Sequence, residues 1–395
     1  MAYTIIKAKR IVSGDGLDIQ EGYLVLNEGL IVKAADMDDG EVKSLFAQED
    51  TEIIIENEMT IIPGMLDIHT HGAMGVDFID IDEEKLMKVG KRFLMEGVTA
   101  FCTSTMVLIR EKEKELLRTF GDLPELTAPR WLGVHLEGPH MNEKYHAMMD
   151  PRYLRKPSVE ELLENVELTN HRLRMITMAP ELEGAKEFIE ACVANDVIVM
   201  LAHSNATSKQ TTEALTWGVS GFTHLYNAMT QHTHRNPGMV TAALLNESTF
   251  KELIVDGYHI DEDVIKLTYK ILGRDQIVLI TDAMPGKGLG DGEYEFGKLP
   301  CVIKDNKAYE KASGRIAGST LGMNDAVRNI MNFTGCSLSD AVVMACLNPA
   351  KLLKTDNRYG SLSKGKVADF VLLDDDLNVC ATYIDAKCVY RKSHE

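Results

Sequence analysis

The chain has 395 residues, 45% of them hydrophobic and 26% charged, a composition that buries a large core and carries neither the low hydrophobicity of disorder nor a membrane bias. Lys plus Arg total 42 against 60 Asp plus Glu, a formal charge of -18, which disfavours nucleic acid and anionic membrane surfaces and obliges any anionic ligand to find local basic groups. The length suits two domains.

The chain opens on MAYTIIKAKR, whose three basic residues leave no room for the apolar centre of a signal peptide. Nowhere does an uninterrupted apolar stretch approach the roughly 20 residues of a membrane helix. The first 60 residues read as short strands, YTIIKAKRIV, GYLVLNEGLIVKAAD and TEIIIENEMTII, broken by Gly-Asp-Gly and acidic turns. Next come eight apolar runs of strand length, at 65–72, 98–105, 131–138, 174–181, 197–204, 221–228, 251–259 and 276–283. Segments between them, such as DEEKLMKVGKRFLMEG, SVEELLENVE and GAKEFIEACVAND, place apolar residues three and four apart, as core-facing helices do. Eight alternating units predict an α/β fold, a (β/α)8 TIM barrel. The last segment, KGKVADFVLLDDDLNVCATYIDAKCVYRK, returns to short β runs. Both chain ends are therefore expected to form one small β-sandwich domain, 1–62 plus 361–395, around a catalytic barrel at 63–360. Seven cysteines are scattered singly with no CxxC spacing, which reads as reduced thiols in a cytoplasmic protein.

Each apolar run begins with aliphatics and ends in a group capable of chemistry: His69 and His71, Thr103 and Ser104, Glu137, Glu181, His203, His224, His259 and Asp282. In a barrel the strand C-termini converge on one face, where catalytic residues are found. His69-Thr70-His71 puts two imidazoles on one side of an extended strand. With His203, His224, Glu137 and Asp282 they form a candidate metal site; the alternative, core histidines and acids gathered at one barrel end without function, buries charge for no return. Imidazole mixed with carboxylate suits zinc or iron(II) better than magnesium or calcium. Such an ion polarises an acyl oxygen and acidifies a bound water, and Asp282 is placed to take a proton and return it to a leaving amine. Amide hydrolysis is the natural reading.

At this point the residues amount to a resemblance. HxH on the first strand, with His, His and Asp after the fifth, sixth and eighth, resembles the amidohydrolase superfamily. HLEGP at 135–139, PGMLDIHTHG, APE, AHSNA, THLYNAM, RNPG, VDGYH, TDAM and AGS, in that family's order, are similar to the N-acetylglucosamine-6-phosphate deacetylases over nearly the whole chain. Many superfamily members bridge two metals with a carboxylated lysine on the fourth strand. None stands at 174–181, and the resemblance gives that role to Glu137. It implies Glu137, His203 and His224 as main metal ligands, Asp282 as acid/base, and one or two ions per subunit, with His69 and His71 available for the second.

For the substrate it implies Asn227, Ala228, His259, Ala317 and Gly318 as contacts, and a homodimer in which Arg235 reaches the neighbouring site to bind phosphate. One segment departs from the family. Where a Lys-x-Gly-Ala-His run is usual, this chain has HMNEKYHAMMDP at 140–151, with Met149 at the histidine position and His146 three residues earlier as its candidate replacement. The implied reaction is removal of the N-acetyl group from N-acetylglucosamine 6-phosphate. Its galacto epimer or another N-acyl amino sugar stands as the near alternative, and a non-catalytic sugar-phosphate-binding regulator as the remote one.

Overall fold

In the computed structural model, which describes residues 3–46, 48 and 50–393, eight strands lie side by side in chain order: Met65–Asp67, Val98–Thr105, Arg130–Glu137, Leu173–Met178, Ile198–Leu201, Gly221–Phe222, Phe250–Ile254 and Ile277–Ile280. All neighbouring pairs are parallel. Just past the strand ends, the sheet closes on itself through a parallel bridge between Thr70 and Ala283. There Asp282 N donates to His69 O at 2.9 Å and His71 N to Ala283 O at 2.8 Å. The backbone bonds that shut the barrel therefore also fix three candidate site residues.

A helix follows every strand before the next begins: Glu83–Met95, Arg110–Asp122, Val159–Leu168, Ala185–Ala194, Ser208–Ala214, Gly238–Leu245, Glu262–Leu272 and Met323–Thr334. Their sequences explain where they start and which way they face. Asp82 caps the first by accepting from Lys85 N, and its buried Leu86, Val89 and Phe93 are three and four residues apart. Ser158 caps the third in the same way. Residues such as Phe93, Phe101, Phe120, Phe188 and Phe222 fill the space between helices and strands.

The terminal segments form one seven-stranded sheet, in the order Lys387–Arg391, Val379–Ile384, Phe370–Leu373, Glu52–Pro63, Tyr3–Val12, Asp18–Asn27, Leu30–Asp36. Pro63 leads through Gly64 straight into the first barrel strand. A Cβ on Gly64 would lie 2.0 Å from Thr99 Oγ1, so only glycine lets the chain cross there.

Two long loops cover the C-terminal mouth of the barrel. One is 138–158. The other, 281–322, carries a three-stranded antiparallel sheet, Gly292–Phe296, Leu299–Lys304 and Lys307–Glu310. They meet in a satellite core of Met106, Met141, Met148, Met149, Met284, Phe296 and Ala317. Adaptable thioethers fill this irregular joint between loops.

Candidate metal centre and active site

At the barrel mouth the strand-end residues converge. Glu137 is the last residue of the third strand; His69 and His71 follow the first, His203 the fifth, His224 the sixth and Asp282 the eighth. His203, His224 and Asp282 adopt positive φ values of 48°, 32° and 47°. Non-glycine residues held in the left-handed region cost roughly 1–3 kcal/mol each and cluster at functional sites. Here the unusual turns aim side chains back over the barrel axis.

Glu137 is the hub. Its Oε1 lies 2.9 Å from His224 Nε2, 3.1 Å from His203 Nε2 and 3.7 Å from His69 Nε2, while Oε2 is 3.3 Å from His71 Nε2. Two three-residue donor sets result, His69-His71-Glu137 and Glu137-His203-His224, both fully buried. The imidazoles also face one another, with His69 Nε2 3.3 Å from His71 Nε2 and His203 Nε2 3.1 Å from His224 Nε2. Ring nitrogens so close, around a carboxylate, fit a shared cation as their common partner. Asp282 Oδ1 completes the cluster, 3.2 Å from His71 Nε2 and 3.5 Å from His69 Nε2.

Electrostatics agree with the geometry. Burial opposes charge on His69, but Asp282, Glu252 and Glu137 outweigh it and push its pKa up to about 9. His71, likewise buried, is pushed up to about 10 by Asp282 and Glu137. Burial raises Asp282, and His69 and His71 more than reverse it, so the carboxyl stays below its ordinary value. Carboxylates that draw protons onto these imidazoles would equally favour a divalent ion, which displaces those protons when it binds.

Supporting residues orient the donors. His203 Nδ1 donates to Tyr145 O at 2.8 Å, which turns Nε2 toward Glu137. His69 Nδ1 lies 3.0 Å from Glu252 Oε2, which also accepts from His224 N at 3.3 Å. Sequence reasoning missed Glu252. Its signal was an acid in the middle of an apolar strand, KELIV, where a solvent-free carboxylate needs a partner. His135, one strand layer deeper, is held by Ser104 Oγ and Thr177 Oγ1 at 2.9 and 2.8 Å, and burial keeps its pKa well below the ordinary value. Glu181 is a loop clamp: it accepts from Ser204 Oγ, Asn205 N and Asn142 Nδ2.

Above the cluster is a cavity of about 310 Å³. Asn227, Ala228, His259 and Gly318 line it with the donors, as do Met148, Met149, Phe296 and Arg315. His259 Nδ1 lies 2.6 Å from Asp256 Oδ2. Burial lowers the His259 pKa, and the Asp256 contact more than offsets that, so the net shift is upward. Gly318, at φ 62°, passes where a Cβ would stand 3.0 Å from Asp282 O, which explains the glycine of AGS. Three predicted substrate residues sit outside the lining. Ala317 is buried in the satellite core. His146, half-buried, is turned by a 2.6 Å contact from Nδ1 to Met149 O. Arg235 is exposed on the 231–237 segment, its Nη1 2.7 Å from His234 Nε2.

Comparison with known proteins places this geometry in context. The model of a family described as "Amidohydrolase family" matches residues 60–392. An N-acetylglucosamine-6-phosphate deacetylase of Lysinibacillus sphaericus is 35% identical over 319 residues, 80% of this chain and 82% of the relative. An N-acetylgalactosamine-6-phosphate deacetylase of Escherichia coli O157:H7 is 32% identical over 97% of this chain and 98% of its own length. Among solved structures, a mutant N-acetyl-D-glucosamine-6-phosphate deacetylase of Mycobacterium smegmatis in complex with N-acetyl-D-glucosamine 6-phosphate superposes with TM-score 0.90 at 28% identity, covering 98% of this chain and 100% of that one. The Thermotoga maritima enzyme superposes with TM-score 0.86 at 31% identity over the same shares.

Proposed function

The chain belongs to the amidohydrolase family, and from that premise we propose that it removes the N-acetyl group of N-acetylglucosamine 6-phosphate, giving glucosamine 6-phosphate and acetate. The observation that carries this reading is Asp282: an ionised carboxylate lining the cavity, within 3.5 Å of two imidazoles of a His/Glu donor cluster.

Glu137, His203 and His224 would hold one ion, and His69 and His71 with Glu137 would provide for a second; zinc or iron(II) suits the donors. A bound ion would supply Lewis acidity at the acyl oxygen and a water of lowered pKa for attack. Asp282 takes the proton of that water and delivers it to the amine as the C–N bond breaks. His259, oriented through Asp256, presents its other ring nitrogen to the substrate. Asn227 and Ala228 border the sugar, and Gly318 admits the backbone of the Ala317-Gly318 turn beside it. The protein acts as a homodimer in which the exposed Arg235 reaches the neighbouring site, and His146 stands beside the cavity. Residues 1–62 with 361–395 are its small domain, and 63–360 its catalytic domain. Its seven unpaired cysteines support a cytoplasmic setting. Among the described residues no helix is long and apolar enough to cross a membrane.

A second reading keeps the chemistry and changes the epimer, because an N-acetylgalactosamine-6-phosphate deacetylase matches nearly the whole chain at 32% identity. Acetate release from both 6-phosphates and from unphosphorylated N-acetylglucosamine tests the proposal. Release from the gluco 6-phosphate at the highest kcat/KM is expected. Faster turnover of the galacto epimer would transfer the assignment, and no release from any of them by metal-loaded protein would overturn it.

A further inference from the structure

An enzyme with a charge of -18 that binds a phosphate ester must neutralise that anion locally. Within one protomer, Arg315 is the one Lys or Arg among the described residues lining the cavity. Although exposed, it lines the cavity with much of its hydrogen-bonding capacity unused. No carboxylate pairs with it among the described residues, whereas Arg110, Arg130 and Arg155 each hold two or more. Its Nη1 donates to Ala147 O at 2.9 Å and stands 3.5 Å from His146 Nε2. The Nε and Nη2 edge, the side of the fork that grips a phosphate or carboxylate with two parallel bonds, has no protein acceptor among the described residues.

The backbone around Arg315 is held from both sides. Glu310 N donates to Arg315 O at 2.8 Å, and Tyr309 bridges to Ile316, so the residue extends the small sheet of the 281–322 loop. Across the mouth, His146 is locked by its Nδ1 contact to Met149 O, which leaves Nε2 facing the guanidinium. Met148, Met149, Phe296 and Ile316 line the same cavity with side chains that offer no donor, while Asn227 and His259 are its other polar side chains besides Arg315 and the His/Glu/Asp cluster. The lining thus combines the His/Glu/Asp cluster with a single guanidinium, Arg315.

The geometry points to Arg315, with His146 beside it, as the group that holds the substrate's phosphoryl oxygens within the same protomer. The inference rests on the deacetylase reading and names its specificity-determining residue. Arg235 of a neighbouring copy adds to this grip.

The test uses the full-length, metal-loaded protein and its Arg315→Ala, Arg315→Lys and Arg235→Ala variants. The readout is the ratio of kcat/KM for N-acetylglucosamine 6-phosphate to that for the unphosphorylated sugar. Arg315→Ala is expected to lower this ratio about 10- to 100-fold, the worth of a charge-assisted hydrogen-bond pair, through KM with kcat within about threefold. Arg315→Lys should recover part of the loss, because the charge remains and the fork does not. An unchanged ratio would overturn the inference, and so would an equal loss on both sugars, which is the signature of a mere clasp on Ala147. Calorimetric binding of glucosamine 6-phosphate against glucosamine separates the two levels. If wild type released no acetate, the reaction assignment would fail, while a phosphate-dependent affinity lost in Arg315→Ala would still support the phosphate site. Absence of any phosphate-dependent binding would overturn it.

Discussion

The two ends of the cavity are built by different means. At the metal end, every donor is a barrel strand terminus or lies within four residues of one, and the hydrogen bonds that close the barrel also hold His69, His71 and Asp282. At the mouth, part of the wall comes from two long loops joined by methionines and by Arg315. Backbone closure fixes the chemistry, while side-chain packing between loops shapes what enters. Change at the first end should therefore abolish turnover, and change at the second should redistribute it among substrates.

The sharpest way to break this contrast is Glu137→Gln, which removes the carboxylate shared by both donor sets. Bound metal should fall below one ion per subunit by elemental analysis, with kcat/KM reduced at least about 10³-fold. Full metal content in that variant would show that the cluster does not depend on Glu137. Glu252→Gln is milder. It leaves every donor in place but weakens the contact on His69 Nδ1, and metal affinity measured against a competing chelator should drop about 10- to 100-fold.

At the mouth, Met149→Ala should cost about 2 kcal/mol of stability in chemical denaturation, since Met149 is buried and its Sδ accepts from Val107 N at 3.3 Å. Its effect on kcat should stay within about tenfold, with KM moving more. A kcat loss as large as that of Glu137→Gln would erase the distinction between the two ends.

The smallest effect expected is on stability against pH. Burial raises the Asp67 carboxyl to about 6 despite Lys287 and the Thr281 hydrogen bonds. The unfolded chain gives up this proton near the ordinary carboxyl value, so between about pH 4 and 6 the native state binds more protons and stability falls as pH rises. Asp67→Asn should flatten that part of the curve relative to wild type at fixed metal concentration. A difference curve without slope there would mean that Asp67 titrates normally.

Much of this was legible in the sequence. Buried parallel strands read as apolar runs, and all eight strands lie inside or within one residue of the expected ones. Several runs extended too far, because the chain turns at positive φ at His203, His224 and Asp282 and the apolar pattern does not register that turn. The clustered His, Glu and Asp side chains were legible because a polar residue closing an apolar run stands out. Glu252 was not, since a single acid inside KELIV looks like an interruption until His69 is placed against it. Glu181 showed the same signal as the donors and turned out to be a clamp. Arg315 was out of reach: it lines the cavity only because the 292–310 sheet folds back over the barrel, and that folding depends on long-range methionine packing rather than on local pattern.

The most direct test of the account is acetate release from N-acetylglucosamine 6-phosphate by Asp282→Asn at a metal content equal to wild type. Proton transfer through Asp282 predicts a fall in kcat of roughly 10²- to 10⁴-fold with substrate binding retained. Equal rates for the two proteins would contradict it.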